Sequence, residues 1–167
     1  MNNSLQDDFL KQLNQHSGIL HKICNSYFMN PQVRQDAFQE MVYQLWKSYP
    51  SFRADSKFST WMYRVALNTA ILLVRKSNKR ITEEELNEAF LEMPKTDDHH
   101  QPRETMDLLY KAIYSLQEIE RGIILLYLDD YSYEEIATVM GISKSNVSVR
   151  LVRIKSKLEE KLKHLII

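Results

Sequence analysis

Ser132-Tyr133-Glu134-Glu135-Ile136-Ala137-Thr138-Val139-Met140-Gly141-Ile142-Ser143-Lys144-Ser145-Asn146-Val147-Ser148-Val149-Arg150-Leu151-Val152-Arg153 is the stretch that decides the fold. It opens on S-x-x-E, a capping box that starts a short helix through Met140. Gly141 stands where a left-handed turn residue belongs, and Ser143 can cap the next helix. Val147, Leu151, Ile154, Leu158, Leu162 and Leu165 then give that helix one continuous apolar stripe. A short helix, a glycine turn and a longer helix make the helix-turn-helix pattern. Its second helix can enter the roughly 12 Å major groove of duplex DNA.

The outer face of that helix has the right chemistry. Ser145, Val149, Val152, Arg153 and Ser156 lie opposite the apolar stripe. Asn146 and Arg150 flank one shoulder, Ser148 and Lys155 the other. Arg, Asn and Ser can bond base edges or phosphates, and outward valines can touch thymine methyls. Residues 141–157 hold five bases (Lys144, Arg150, Arg153, Lys155, Lys157) and no acid. The plainer account is a helical hairpin with a solvated cationic surface.

The whole chain is neutral, with 22 Lys+Arg against 22 Asp+Glu, but its charge is segregated. Residues 1–80 carry 11 bases and 5 acids, and residues 81–107 carry 2 and 9. Residues 108–167 carry 9 and 8. Such blocks suggest basic faces for a polyanion joined by an acidic connector; solvated helix faces would give the same counts. With three glycines, four prolines and 44% hydrophobic residues in 167, long helices are favoured over barrels or low-complexity chain. No apolar stretch approaches the ~20 residues of a bilayer span, and Met1–Ser4 lacks a signal-peptide pattern. The single Cys24 cannot form an internal disulfide, which fits a reducing cytoplasm.

Upstream, residues 5–28 have a loose helical pattern with Gly18 as the candidate break. Phe38, Met41, Val42, Leu45 and Trp46 follow helical spacing, and Pro50 ends that helix. Residues 51–57 read as a polar loop with one aromatic. Ser59 is the expected cap of a helix to about Ser77, with Trp61, Met62, Val65, Ala66, Leu72 and Leu73 on its buried face. Arg64, Asn68 and Arg75 fall within roughly 40° of one another on that helix, a narrow polar stripe. Residues 81–106 read as an acidic linker, with a short helix around Thr82–Leu91 and irregular chain over Glu92–Pro102. Fully extended, it spans on the order of 85 Å, so the flanking halves need not touch. The fold class expected is all-α: two small helical domains, 1–80 and 107–167, joined by a flexible acidic linker.

Two motif blocks together resemble a known family. Tyr133–Ala137, Met140–Ser143 and Val147…Arg150-Leu151…Arg153 resemble the C-terminal helix-turn-helix of sigma-70 family RNA polymerase sigma factors, especially the two-domain extracytoplasmic-function (ECF) group. Asp36-Ala37-Phe38-Gln39-Glu40 resembles the family's D-L-x-Q-E polymerase-docking motif. Phe58–Asn68 resembles its F-x-T-W-L-Y-R-I-A-x-N promoter-melting helix.

The resemblance implies roles residue by residue. Asp36, Gln39 and Glu40, at i, i+3 and i+4, would dock on core RNA polymerase; taken alone, Asp36 is merely an acid favoured by a helix N-terminus. Phe52, Arg53, Asp55, Ser56 and Lys57 in the loop, with Arg64, Asn68 and Arg75 on the helix, would hold unpaired minus-ten DNA. Lys144, Ser145, Asn146, Ser148, Val149, Arg150 and Arg153 would read minus-thirty-five duplex. Trp61 reads as core and Tyr63 is undecided. Arg64 and Val65 stand where housekeeping members carry a tryptophan wedge, which implies weak intrinsic melting. Leu116-Gln117, Tyr131 and Ser148-Val149 also depart from the family pattern, the last shifting the reading of DNA to Arg150 and Arg153. The acidic linker would thread the polymerase's RNA exit path. Its folding onto the basic faces, or an anti-sigma factor covering them, would keep the free protein from binding promoters well.

No catalytic constellation, cofactor loop or metal-spaced ligand set is evident. His99-His100 reads as a solvated pair, and His16, His21 and Cys24 as helix-packing residues. The function expected is that of a cytoplasmic transcription initiation factor with core polymerase, promoter DNA and an anti-sigma factor as partners. The rival is a dimeric helix-turn-helix regulator acting without polymerase.

Overall fold

The structure is a computed structural model, and it describes residues 2–77 and 101–166. Among the described residues there are seven α-helices, one 3-10 turn and no strand. The N-terminal half contains α1 (Asn2–Tyr27), α2 (Pro31–Ser48) and α3 (Phe58–Ser77), with a 3-10 turn at Tyr49–Ser51. The C-terminal half contains α4 (Gln101–Tyr114), α5 (Glu118–Leu128), α6 (Tyr133–Met140) and α7 (Lys144–Ile166). The acidic Thr82–Leu91 stretch, Glu92–His100 and the His99-His100 pair lie outside the described residues.

Local chemistry explains several helix ends. The Asn30 side chain accepts from the N–H groups of Gln32 (2.8 Å) and Val33 (3.3 Å), and Pro31 takes the first helical position, where no N–H is needed. Ser132 Oγ accepts from Glu135 N–H while the Glu135 carboxylate accepts from Ser132 N–H, so both halves of the capping box form. Gly141 is left-handed (φ 69°, ψ 34°), and Ser143 Oγ caps α7 through Asn146 N–H at 3.1 Å. At the end of α5, Asp130 takes the left-handed conformation (φ 65°) that glycine usually supplies. Tyr131 N–H then bonds the Leu126 carbonyl and Asp130 N–H that of Tyr127, closing a Schellman turn.

Four expectations are corrected. Gly18 does not break α1, which runs unbroken across it. Ser59 is no cap: Trp61 N–H already bonds the Lys57 carbonyl at 3.1 Å, so the helix is under way from Phe58, two residues earlier than a Ser59 cap would start it. Leu72 is not buried but 64% exposed, because a step of 100° per residue sets it 40° beyond Asn68 on the polar stripe. Gln101 and Pro102, read as linker, are the first two residues of α4, where a proline's missing N–H costs nothing.

α1, α2 and α3 pack against one another, and α5, α6 and α7 form the helix-turn-helix braced by α4. The halves also pack together: α1 lies on α4 and α5, and α3 on α5 and α6. One continuous core therefore runs from Phe9 and Met41 through Tyr63 and Ile123 to Ile154. Gly122 lies against both α6 and α1, so an added Cβ would lie 2.8 Å from Met140 Cε and 3.3 Å from the Tyr27 hydroxyl.

Candidate nucleic-acid interface

The final helix is built as its pattern predicts. Val147, Leu151, Ile154 and Leu158 are buried, and Ser145, Ser148, Val149, Val152, Arg153 and Ser156 are exposed. The basic residues differ in how far they are committed inside the chain. Lys157 Nζ donates to both oxygens of the buried Glu120 carboxylate at 2.9 and 3.1 Å, tying α7 to α5. Lys155 lies over the Tyr127 ring at 4.3 Å, and Lys144 meets Glu134 at 3.4 Å. Arg150 Nε donates to Asn146 Oδ1 at 3.0 Å, so these two candidates form one fork on the shoulder. Arg153 is exposed and has no hydrogen bond or ion pair among the described residues. Of the five bases in residues 141–157, its guanidinium is the most available to a nucleic acid.

On α3, Arg64, Asn68 and Arg75 are exposed, with Leu72 between them. Arg75 Nε donates to Glu118 Oε1 at 3.4 Å, a half-exposed pair of small worth. In the preceding loop Arg53, Asp55, Ser56 and Lys57 are exposed, and Ala54 turns the chain at φ 38°. Phe52 is packed, not free: its ring lies 5.0 Å from that of Trp61 and 5.9 Å from Phe58. Tyr49 stacks on Phe52 and also meets Phe9. This aromatic cluster holds both ends of the loop, and Trp61 belongs to it. Tyr63 is fully buried and cannot act as a stacking platform in this arrangement.

On α2, Asp36 and Gln39 are exposed and Glu40 is half-buried. Gln32 Nε2 donates to Asp36 Oδ1 at 3.3 Å and Gln44 Nε2 to Glu40 Oε1 at 2.9 Å, so both carboxylates are oriented by neighbours one turn away. Phe38 faces inward and stacks on His21 at 4.8 Å. Cys24 is buried with its sulfur 3.8 Å from Met41 Sδ. Among the described residues no three His, Cys, Asp or Glu side chains converge as a metal site.

The contacts between the halves were not foreseen from the sequence. Tyr63 Oη donates to the Asp129 carboxylate, whose other oxygen accepts from Lys22 Nζ at 2.8 Å. Tyr27 Oη donates to the Glu118 carbonyl. The Arg121 guanidinium donates to the Leu116 carbonyl at 2.8 Å and lies over the rings of Tyr27 and Tyr114. Burial pulls the Arg121 pKa down and pushes those of Tyr27 and Tyr63 up. No local pattern marks the contacts of Tyr63, Asp129, Lys22 and Tyr27, because their partners are remote in sequence.

Residues 13–80 match the family described as Sigma-70 region 2, and residues 106–158 match Sigma-70, region 4. The ECF RNA polymerase sigma-E factor of Escherichia coli (strain K12) is 30% identical over 142 residues, spanning 78% of this chain and 74% of that protein. The ECF RNA polymerase sigma-E factor of Haemophilus influenzae is 28% identical over 141 residues, spanning 78% and 75%. Among solved structures, the sigma factor RpoE in complex with the anti-sigma factor NepR from Bartonella quintana has the same fold, with a TM-score of 0.70. It is 21% identical and covers 93% of this chain and 97% of that one. CnrH in complex with the cytosolic domain of CnrY matches at 0.66, with 22% identity over 95% of this chain and 90% of that one. With both motif blocks inside matched regions in the right order, the chain belongs to the ECF group of the sigma-70 family, transcription initiation factors that direct RNA polymerase to promoters.

Proposed function

We propose that this chain works through three surfaces. Asp36, Gln39 and Glu40 on α2 dock on core RNA polymerase. The loop residues Arg53, Asp55, Ser56 and Lys57, with Phe52 anchoring the loop, act with Arg64, Asn68 and Arg75 on unpaired minus-ten DNA. Lys144, Ser145, Asn146, Ser148, Val149, Arg150 and Arg153 read minus-thirty-five duplex. Residues 1–80 and 107–167 act as separate DNA-reading units in the initiation complex, joined by 81–106. The chain acts in the cytoplasm as a binding factor without chemistry of its own.

One observation carries the reading: both candidate DNA faces are exposed while the two halves are packed together. Promoter elements about 25 base pairs apart lie roughly 85 Å apart along B-form DNA. A packed chain of this length is about 40 Å across. Simultaneous reading therefore requires α1 and α3 to part from α4, α5 and α6. The free chain is held off promoters by the wrong spacing of two faces that, among the described residues, stay open apart from the Arg75 bond to Glu118. RpoE and CnrH are each described in complex with a partner, the anti-sigma factor NepR and the cytosolic domain of CnrY. By that likeness an anti-sigma factor is the expected regulator here.

The test is to lock the halves. With Cys24→Ala as background, Lys22→Cys and Asp129→Cys are bridged by a short bismaleimide. The bridged protein should lose promoter-directed transcription with core polymerase, while the unbridged double variant and each singly modified variant keep it. Full activity of the bridged form would contradict the opening.

A further inference from the structure

Val149 and Val152 are 52% and 69% exposed on the outer face of α7. Their exposure has a cost. β-Branched residues lose rotamer freedom in a helix, and both sit where alanine or a charged residue would favour the helix more. They have no role in the core, since Val147, Leu151 and Ile154 already fill the packed face. A single outward apolar side chain is ordinary. Two of them one turn apart, ringed by Ser145, Ser148, Arg153 and Ser156, make a small apolar patch inside a segment that has bases and no acid. That charge suits a phosphate-lined groove. The apolar feature of a major groove is the thymine C5-methyl group.

Building on the minus-thirty-five reading above, we infer that Val149 and Val152 are specificity residues that select thymine by its methyl group. Their Cα atoms are separated by about 4.5 Å along the helix axis, close to one base-pair step of about 3.4 Å. They therefore read two neighbouring or next-neighbouring base pairs, on either strand. Arg153, exposed beside Val152, supplies the polar contact that fixes the register. Substitutions that keep pairing but lose the methyl should be felt at those positions alone.

The experiment uses the holoenzyme reconstituted with core polymerase on a promoter that the protein activates. Each thymine of the minus-thirty-five element, on both strands, is replaced singly by deoxyuridine, which removes only the methyl. Initial-complex formation is measured for the wild type, Val149→Ala and Val152→Ala; alanine is tolerated at exposed helical sites. The expected result is a loss of about fourfold at one or two adjacent or next-adjacent positions for the wild type. Val149→Ala should lose sensitivity at one of them and Val152→Ala at the other. A minus-thirty-five element without thymine, or deoxyuridine tolerated everywhere while transversions are not, overturns the inference but keeps α7 as the reader. Equal sensitivity of the wild type and both variants also overturns it. If transversions throughout the element and Arg153→Ala both have no effect, the minus-thirty-five reading itself fails.

Discussion

The Tyr63 hydroxyl, on the helix that carries the proposed minus-ten stripe, donates to the carboxylate of Asp129, 66 positions later at the mouth of the helix-turn-helix. The Schellman turn at Asp130 closes α5 with main-chain bonds, which leaves the Asp129 side chain free to accept from Tyr63 and Lys22. Asp129→Ala would strand a buried tyrosine hydroxyl and should cost about 1–3 kcal/mol in urea unfolding. Asp129→Asn keeps an acceptor for Tyr63 and should cost less. Equal costs would mean that the half-exposed Lys22 pair, not the tyrosine bond, holds the halves together.

The helix-turn-helix depends on a left-handed glycine. An added Cβ at Gly141 would meet nothing within 4 Å, so the penalty of Gly141→Ala is backbone strain alone. We expect about 1–2 kcal/mol by thermal or urea denaturation. Gly141→Asn should cost less, since asparagine visits this conformation more readily.

Two bases on α7 should behave differently. Arg153→Ala should weaken minus-thirty-five binding by about 1–3 kcal/mol and leave stability nearly unchanged. Lys157→Ala should lower stability by about 1–2 kcal/mol, because it leaves the buried Glu120 carboxylate without its bond. Footprinting and unfolding of the two variants separate the roles. The reverse pattern would contradict the assignment of Arg153.

Alkali should destabilise this protein in a defined window. Burial pushes the Cys24 thiol from 9.0 up to about 11, against the opposing pull of Arg34. A group whose folded pKa is raised contributes stability that is complete below its unfolded value and is lost as pH rises through the folded one. Stability should therefore fall between about 9 and 11, and Cys24→Ala should flatten that slope. Tyr27 and Tyr63, also raised by burial from 10.0, should steepen the fall above their ordinary value. A slope unchanged by Cys24→Ala would rule out the thiol as its source.

Charge reversal on α2 tests polymerase docking. Asp36→Arg with Glu40→Arg alters partly exposed side chains that accept hydrogen bonds from glutamines one turn away. We expect stability within about 0.5 kcal/mol of the wild type. Core-polymerase affinity should fall at least about tenfold, as a like-charge clash across an interface costs several kcal/mol. Unchanged affinity would move the docking surface elsewhere.

What the sequence made legible was local. Ser132 with Glu135, Gly141 and Ser143 act on neighbours within four residues, so their chemistry is readable from the sequence alone. The stripe from Val147 to Leu158 was equally clear, because one period serves the whole helix. Ser59 misled because a serine before an apolar run looks like a cap whether or not the preceding residue, here Phe58, is drawn into an aromatic cluster. Leu72 departs from what its apolar type suggests because its angular position sets it on the polar stripe. The contacts of Tyr63, Tyr27, Arg121 and Asp129 were invisible because each joins segments whose meeting depends on the packing of both halves. The commitment of Lys155 and Lys157 inside the chain was hidden for the same reason.

The most direct test of the central claim is multi-round transcription with bacterial core RNA polymerase, with and without this protein, over fragmented DNA of its own genome. The account predicts discrete new start sites that share two spaced upstream elements, weaken with Arg153→Ala and disappear with the bismaleimide-bridged form. No stimulation, together with tight polymerase-independent binding of a dimer to a duplex palindrome, would contradict it.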